Sequence, residues 1–152
     1  MNNARELQAL YRETVLEHSR NPRNFQRLTP ADRVVVGHNP LCGDKITLYL
    51  RLDNNRIENL AFEGTGCAIS MASASIMTES VKHHDLDEAQ HEIARIMHQF
   101  DSTNPDDATV EGDMAALGGV RAFPSRIKCA TLAWKTLEAA LQENTQTTTT
   151  EK

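Results

Sequence analysis

What is scarce in this chain narrows its chemistry first. Its three cysteines include no Cys-x-x-Cys pair, so the paired-ligand spacing of zinc ribbons and knuckles does not apply. No apolar run approaches the roughly 20 residues of a bilayer-spanning helix. Basic residues are outnumbered, 16 Lys and Arg against 21 Asp and Glu, for a formal charge of −5. That balance argues against a general nucleic-acid binder, which is normally basic. The opening Met1-Asn2-Asn3-Ala4-Arg5-Glu6 is polar and unlike a signal peptide. The expected setting is therefore cytoplasmic. An odd cysteine count in a reducing compartment favours metal binding or thiol chemistry over a disulfide framework. The plain alternative is three buried cysteines acting as small hydrophobes.

What is present fits one domain: 152 residues, 39% hydrophobic and 24% charged, ordinary values for a globular protein. Residues 4–19 have an amphipathic pattern, with Leu7, Leu10, Tyr11, Val15 and His18 at helical spacing. Pro22 disfavours helix at Asn21 and ends it; residues 21–32 are a polar connector. Strands are expected at 33–37, 45–52 and 57–63. Ile46, Leu48, Leu50 and Leu52 alternate with Thr47, Tyr49 and Arg51, which gives one apolar face. The product is a three-stranded antiparallel meander with one face covered by helices, an α+β fold. A helix starts near Cys67, and its Ala and Ser residues suit close approach of a neighbour. Asp85 and Glu88 form a capping box for the next helix, which buries Leu86, Ala89, Ile93, Ile96, Met97 and Phe100. Within residues 108–120 one helical turn is expected near Met114–Leu117, stopped by Gly118-Gly119. The last helix opens at Pro124-Ser125 and runs to about Gln142 on a stripe of Ile127, Ala130, Trp134, Leu137 and Leu141. Residues 1–142 form the domain; residues 143–152 are a polar tail with the composition of a disordered segment. No internal repeat is visible.

Each cysteine sits in its own short motif: Asn39-Pro40-Leu41-Cys42-Gly43-Asp44, Gly64-Thr65-Gly66-Cys67-Ala68-Ile69-Ser70 and Arg126-Ile127-Lys128-Cys129-Ala130. Cys42 lies in a strand–strand loop, Cys67 at a helix start and Cys129 in a first helical turn, about 200° round from Ile127 at 100° per residue. Three such thiols can converge at one end of an α+β layer. Gly43 permits a turn that aims Cys42 and Asp44 the same way. Three thiolates and a carboxylate suit zinc in a tetrahedral site, and thiolates also accept ferrous iron or an iron–sulfur cluster. A helix N-terminus favours the thiolate of Cys67.

The same three motifs, in order, resemble the U-type iron–sulfur assembly proteins. So do Leu10-Tyr11-Arg12, His18 and Asn21-Pro22-Arg23-Asn24. The resemblance spans residues 5–142. Lys128 stands where the scaffold, IscU-like branch carries a histidine, and Phe123-Pro124-Ser125-Arg126-Ile127-Lys128 replaces that branch's Leu-Pro-Pro-Val-Lys segment. Extra residues lie between Cys67 and Cys129, around 101–120. These departures make the chain similar to the SufU-like branch. The resemblance implies a zinc ion on Cys42, Asp44, Cys67 and Cys129. It also implies sulfur transfer from a pyridoxal-phosphate cysteine desulfurase of the SufS-like kind, and delivery to a downstream cluster scaffold. The alternative is a scaffold that builds an iron–sulfur cluster on the same cysteines; a structural zinc module is a third reading.

Cys42, on its loop, is the expected sulfur acceptor, with Arg126 and Lys128 flanking the site and attracting the partner or an anionic persulfide. No nucleic acid or membrane partner is expected. His18 reads as a packing residue on its helix. His83, His84, His91 and His98 read as solvated surface, and Trp134 as core. Asp101, Asp106, Asp107, Glu111 and Asp113 lack the order of a calcium loop and read as a solvated loop.

Overall fold

A computed structural model describes residues 4–40, 42–101, 112–142 and 148–149, with side chains for 8–40, 42–101 and 112–142. Helix α1 (Ala4–Arg20) precedes the strands β1 (Arg33–Asn39), β2 (Asp44–Asp53) and β3 (Arg56–Thr65). Helices α2 (Ala68–Val81), α3 (Leu86–Asp101), α4 (Gly112–Leu117) and α5 (Ile127–Leu141) follow. Two 3-10 turns, Gly118–Ala122 and Pro124–Arg126, join α4 to α5. Thr148–Thr149 form a short β4.

The strands form the expected antiparallel meander, β1 against β2 and β2 against β3. The sheet order is β3-β2-β1-β4, and β4 adds in parallel beside Gly37 and His38. The remaining residues of the 143–152 tail lie outside the described residues.

Alternation along β2 buries Ile46, Leu48 and Leu50 completely on the helix-covered face. Their register partners Val35, Phe62 and Leu60 are buried with them. Helix α5 lies directly on this face at Gly37, where a Cβ would sit 2.0 Å from Thr136 Oγ1. The opposite face carries a smaller cluster of Leu28, Tyr49 and Ala61. The connector runs along β3, where Phe25 meets the edge of the Phe62 ring at 5.2 Å.

The small residues of α2 do what their size suggests. Ser70, Ala72, Ser73, Ala74 and Ser75 are all buried. Ser73 donates its hydroxyl to Ala130 O at 2.6 Å, and Trp134 Nε1 donates to Ser73 Oγ at 3.1 Å. The bonds fasten α2 to α5 inside the core, with Trp134 fully enclosed. The capping box of α3 is complete: Asp85 N donates to Glu88 Oε1 at 2.9 Å and Glu88 N to Asp85 Oδ1 at 2.7 Å.

One expectation needs correction and another is met with more besides. Leu10 does not share the buried face of α1; it is 47% exposed, while Thr14 is buried beside Tyr11, Val15 and His18. The buried arc centres on Tyr11–Val15–His18, and Leu10 lies about 100° to one side of it. Gly118 and Gly119 do more than stop a helix. A Cβ at Gly118 would meet Gln99 Nε2 at 2.6 Å, and one at Gly119 would meet Tyr11 Cβ at 2.6 Å. Both glycines let this turn press against α3 and α1.

Candidate metal centre

The site begins at the end of the β1–β2 hairpin, whose last register pair is Asn39 with Asp44. Gly43 takes φ +73° in the connecting turn, a left-handed conformation that favours glycine. Cys42 N donates to Asn39 O at 3.2 Å. The register places Asn39 and Asp44 on the helix-covered face, both essentially inaccessible.

A buried carboxylate is stable only when its oxygens are satisfied. Asp44 Oδ2 accepts from Asn39 Nδ2 at 3.2 Å, and Oδ1 accepts the backbone N–H of Cys67 at 2.9 Å. Gly66 makes the second bond possible, because a Cβ there would sit 2.5 Å from Asp44 Oδ1.

Cys129, in the first turn of α5, is fully buried. Its sulfur lies 3.4 Å from Cys42 Sγ and 3.6 Å from Asn39 Nδ2. One ligand atom each of Cys42, Asp44 and Cys129 lie within 4.8 Å of one another. The sulfur of Cys67 is not in that group. It caps α2 instead, accepting from Ser70 N at 3.4 Å. Cys67 is joined to the site through its amide on Asp44.

Burial pushes the Cys129 thiol well above the ordinary thiol range, and its hydrogen bond to Cys42 and the charges of Cys67 and Asp44 push the same way. Without a cation, then, Cys129 stays protonated beside a carboxylate. A bound cation would relieve both the lost hydration and the negative neighbours. The donor set of two sulfurs and one oxygen, with a third sulfur adjoining, fits zinc.

Beside Cys67 opens a cleft of about 490 Å³, lined also by Tyr11, Val15, Ile69, Phe123 and Arg126 among others. Tyr11 is 7% exposed, stacks on Phe123 at 6.0 Å, and its hydroxyl has no hydrogen-bond partner among the described residues. Burial, then the charge of Cys67, raises its pKa to about 12.

The structure thus brings Cys42, Asp44 and Cys129 together and exposes Cys42, the expected acceptor. Arg126 lines the cleft and Lys128 is exposed next to Cys129. Sequence reasoning quoted Asn39, Gly66 and Tyr11 inside motifs without giving them a part in the site. The alternation of β1 carries a signal for Asn39: a polar residue falls in phase with Val35 and Gly37 on the buried face. His83, His91 and His98 are exposed and His84 is half-buried, away from this site. Among the described residues, no helix is long and apolar enough to cross a membrane.

The family described as NifU-like N terminal domain matches residues 10–130. The chain is 46% identical over 133 residues to the zinc-dependent sulfurtransferase SufU of Bacillus subtilis, covering 87% of this chain and 89% of that one. It is 39% identical over 139 residues to the iron–sulfur cluster assembly scaffold protein IscU of Streptococcus pyogenes, covering 91% and 86%. Its fold superposes with a TM-score of 0.77 and 31% identity on FiSufU of Fervidobacterium islandicum, covering 88% of this chain and 98% of that one.

Proposed function

Because this chain belongs to the family of NifU-like N-terminal domains, we propose that it takes sulfur from a SufS-like, pyridoxal-phosphate cysteine desulfurase and carries it into iron–sulfur cluster assembly. The observation that carries this reading is the exposed sulfur of Cys42 grouped with the buried Cys129 and Asp44. Cys42, Asp44 and Cys129 would hold a zinc ion, with Cys67 as the fourth ligand. Zinc, when bound, keeps its thiolates deprotonated at neutral pH.

The residues of this chain then do the following. Asn39 and the Cys67 amide hold the Asp44 carboxylate in one orientation. The thiolate of Cys42 attacks the outer sulfur of a cysteine persulfide on the partner. A sulfur–sulfur bond forms at Cys42 Sγ while the partner's sulfur–sulfur bond breaks. The electron pair leaves on the partner's cysteine as a thiolate. The persulfide is merely relocated, so no external oxidant or reductant enters. Arg12 and Arg126 at the cleft, with Lys128 nearby, attract the anionic persulfide and orient the partner. Relay of the sulfur to a downstream cluster scaffold completes the role.

The test combines elemental analysis with mass spectrometry after incubation with a cysteine desulfurase and cysteine. Zinc and a one-sulfur mass increment on the Cys42 peptide are expected. A Cys42→Ser protein that accepts sulfur at the unaltered rate refutes the assignment. Bound iron with cluster colour in place of zinc would favour the scaffold role instead.

A further inference from the structure

A second set of metal-ligating side chains lies apart from the cysteines, where α1, α2 and α4 meet. His18 is 1% exposed. Its Nδ1 is 2.8 Å from Ser75 Oγ and its Nε2 is 2.7 Å from Asp113 Oδ2. Glu79 follows Ser75 by one helical turn on α2 and brings a carboxylate to the same point. One ligand atom each of His18, Glu79 and Asp113 lie within 4.8 Å of one another. Asp113 and Glu79 are 56% and 51% exposed. The meeting point therefore has a buried imidazole as its floor and two solvent-facing carboxylates as its rim. Asp113, expected in a solvated loop, is solvent-facing as read but lies in α4, with its carboxylate on His18.

We propose that His18, Glu79 and Asp113 form a second divalent-cation site, independent of the cysteines. One imidazole nitrogen and two carboxylates, with water completing the shell, suit manganese, ferrous iron or zinc. The outer arrangement is already built. Ser75 is fully buried, and its Oγ accepts the backbone N–H of Arg23 at 2.8 Å. The same oxygen can accept from His18 Nδ1–H, which leaves the Nε2 lone pair facing the carboxylates. Such a second hydrogen bond on a ligating histidine fixes its ring and tautomer.

The local charge also favours a cation. Glu17, Glu79 and Asp113 are negative, and Arg23 pairs loosely with Glu17 at 3.6 Å and Glu79 at 3.9 Å. Lys82 borders the far side of Glu79 but turns its Nζ to Asn24 Oδ1 at 3.3 Å. Without the ion, His18 Nε2 and Asp113 Oδ2 lie 2.7 Å apart; the ion would sit between Nε2 and the two carboxylates. Binding would clip α4 to α1 and α2. The chain leaving α4 runs through the two 3-10 turns to Arg126, beside the cysteine site.

The experiment uses the full chain with its thiols loaded with zinc. It is titrated with Mn²⁺ alone at neutral pH, with free Mn²⁺ followed by electron paramagnetic resonance. One Mn²⁺ per chain is expected for the unaltered protein and for Cys42→Ser. Glu79→Gln and Asp113→Asn should each weaken binding by at least the roughly tenfold that loss of an outer-shell partner costs. Both residues are half exposed, and the amide introduced by Asp113→Asn can still hydrogen-bond His18, so the fold survives either change. His18 is left unaltered because its loss would open the core. A Mn²⁺-dependent rise in melting temperature should appear in the unaltered protein and vanish in Glu79→Gln/Asp113→Asn. No bound Mn²⁺, equal binding by the carboxylate variants, or loss of binding in Cys42→Ser would each overturn the proposal.

Discussion

The carboxylate of Asp44 accepts the backbone N–H of Cys67 at 2.9 Å, across the space that the missing side chain of Gly66 leaves open. This bond ties the β1–β2 hairpin to the N-terminus of α2. It also aligns one candidate ligand by the backbone of another. The glycine before Cys67 is therefore a requirement of packing at the site as well as of the turn.

Gly66→Ala tests that relationship. The new Cβ would fall 2.5 Å from Asp44 Oδ1 and 3.1 Å from Asp44 Cβ, so the carboxylate must move. Overpacking of this kind costs about 1–3 kcal/mol. Metal content measured by elemental analysis should fall together with the midpoint of thermal unfolding.

Asn39→Ala should separate support from ligation. The substitution removes the donor to Asp44 Oδ2 and the amide facing Cys129 Sγ, while all four candidate ligands remain. Loss of such an outer partner lowers metal affinity by about 10–100-fold. Competition with a chromogenic chelator measures it. An affinity equal to the unaltered protein would show that Asn39 serves the hairpin alone.

The link between Ser73 and Trp134 predicts a stability defect. Ser73→Ala leaves the buried indole N–H of Trp134 without its acceptor, which costs about 1–3 kcal/mol. Urea unfolding monitored by circular dichroism should show the shift. Adding Trp134→Phe removes the orphaned donor, so the double variant should lose less than the two single losses added together.

The capping box supplies a control remote from the cysteines. Asp85→Ala removes the acceptor for Glu88 N and should destabilise the protein by about 1 kcal/mol. Metal content and sulfur acceptance should stay at their unaltered values, since α3 supplies none of the candidate ligands.

Much of the fold was legible because periodicity reports which side of an element is covered. Ile46, Leu48 and Leu50 announced a half-covered strand, and Asp85 with Glu88 announced the start of α3. Leu10 misled because an apolar residue at helical spacing can still lie at the margin of the buried arc. At the site, the motif around Cys42 was readable as a tight loop carrying a thiol and a carboxylate. The part of Asn39 was harder to see, because an asparagine beside a proline reads equally well as turn chemistry. His18 was expected to pack on its helix and is indeed buried, but its bond to Asp113 joins residues 95 positions apart.

By itself, then, the sequence determined the alternating strands, the amphipathic helices and the three cysteine motifs, because these depend on neighbours within a few residues. Only the tertiary structure decided that Cys42, Asp44 and Cys129 share one point while the sulfur of Cys67 turns to cap its helix. It alone set His18 against Asp113. Those outcomes depend on how α1, α2, α4 and α5 are placed on one another and on the sheet, and local periodicity specifies a buried face without naming the residue that will meet it.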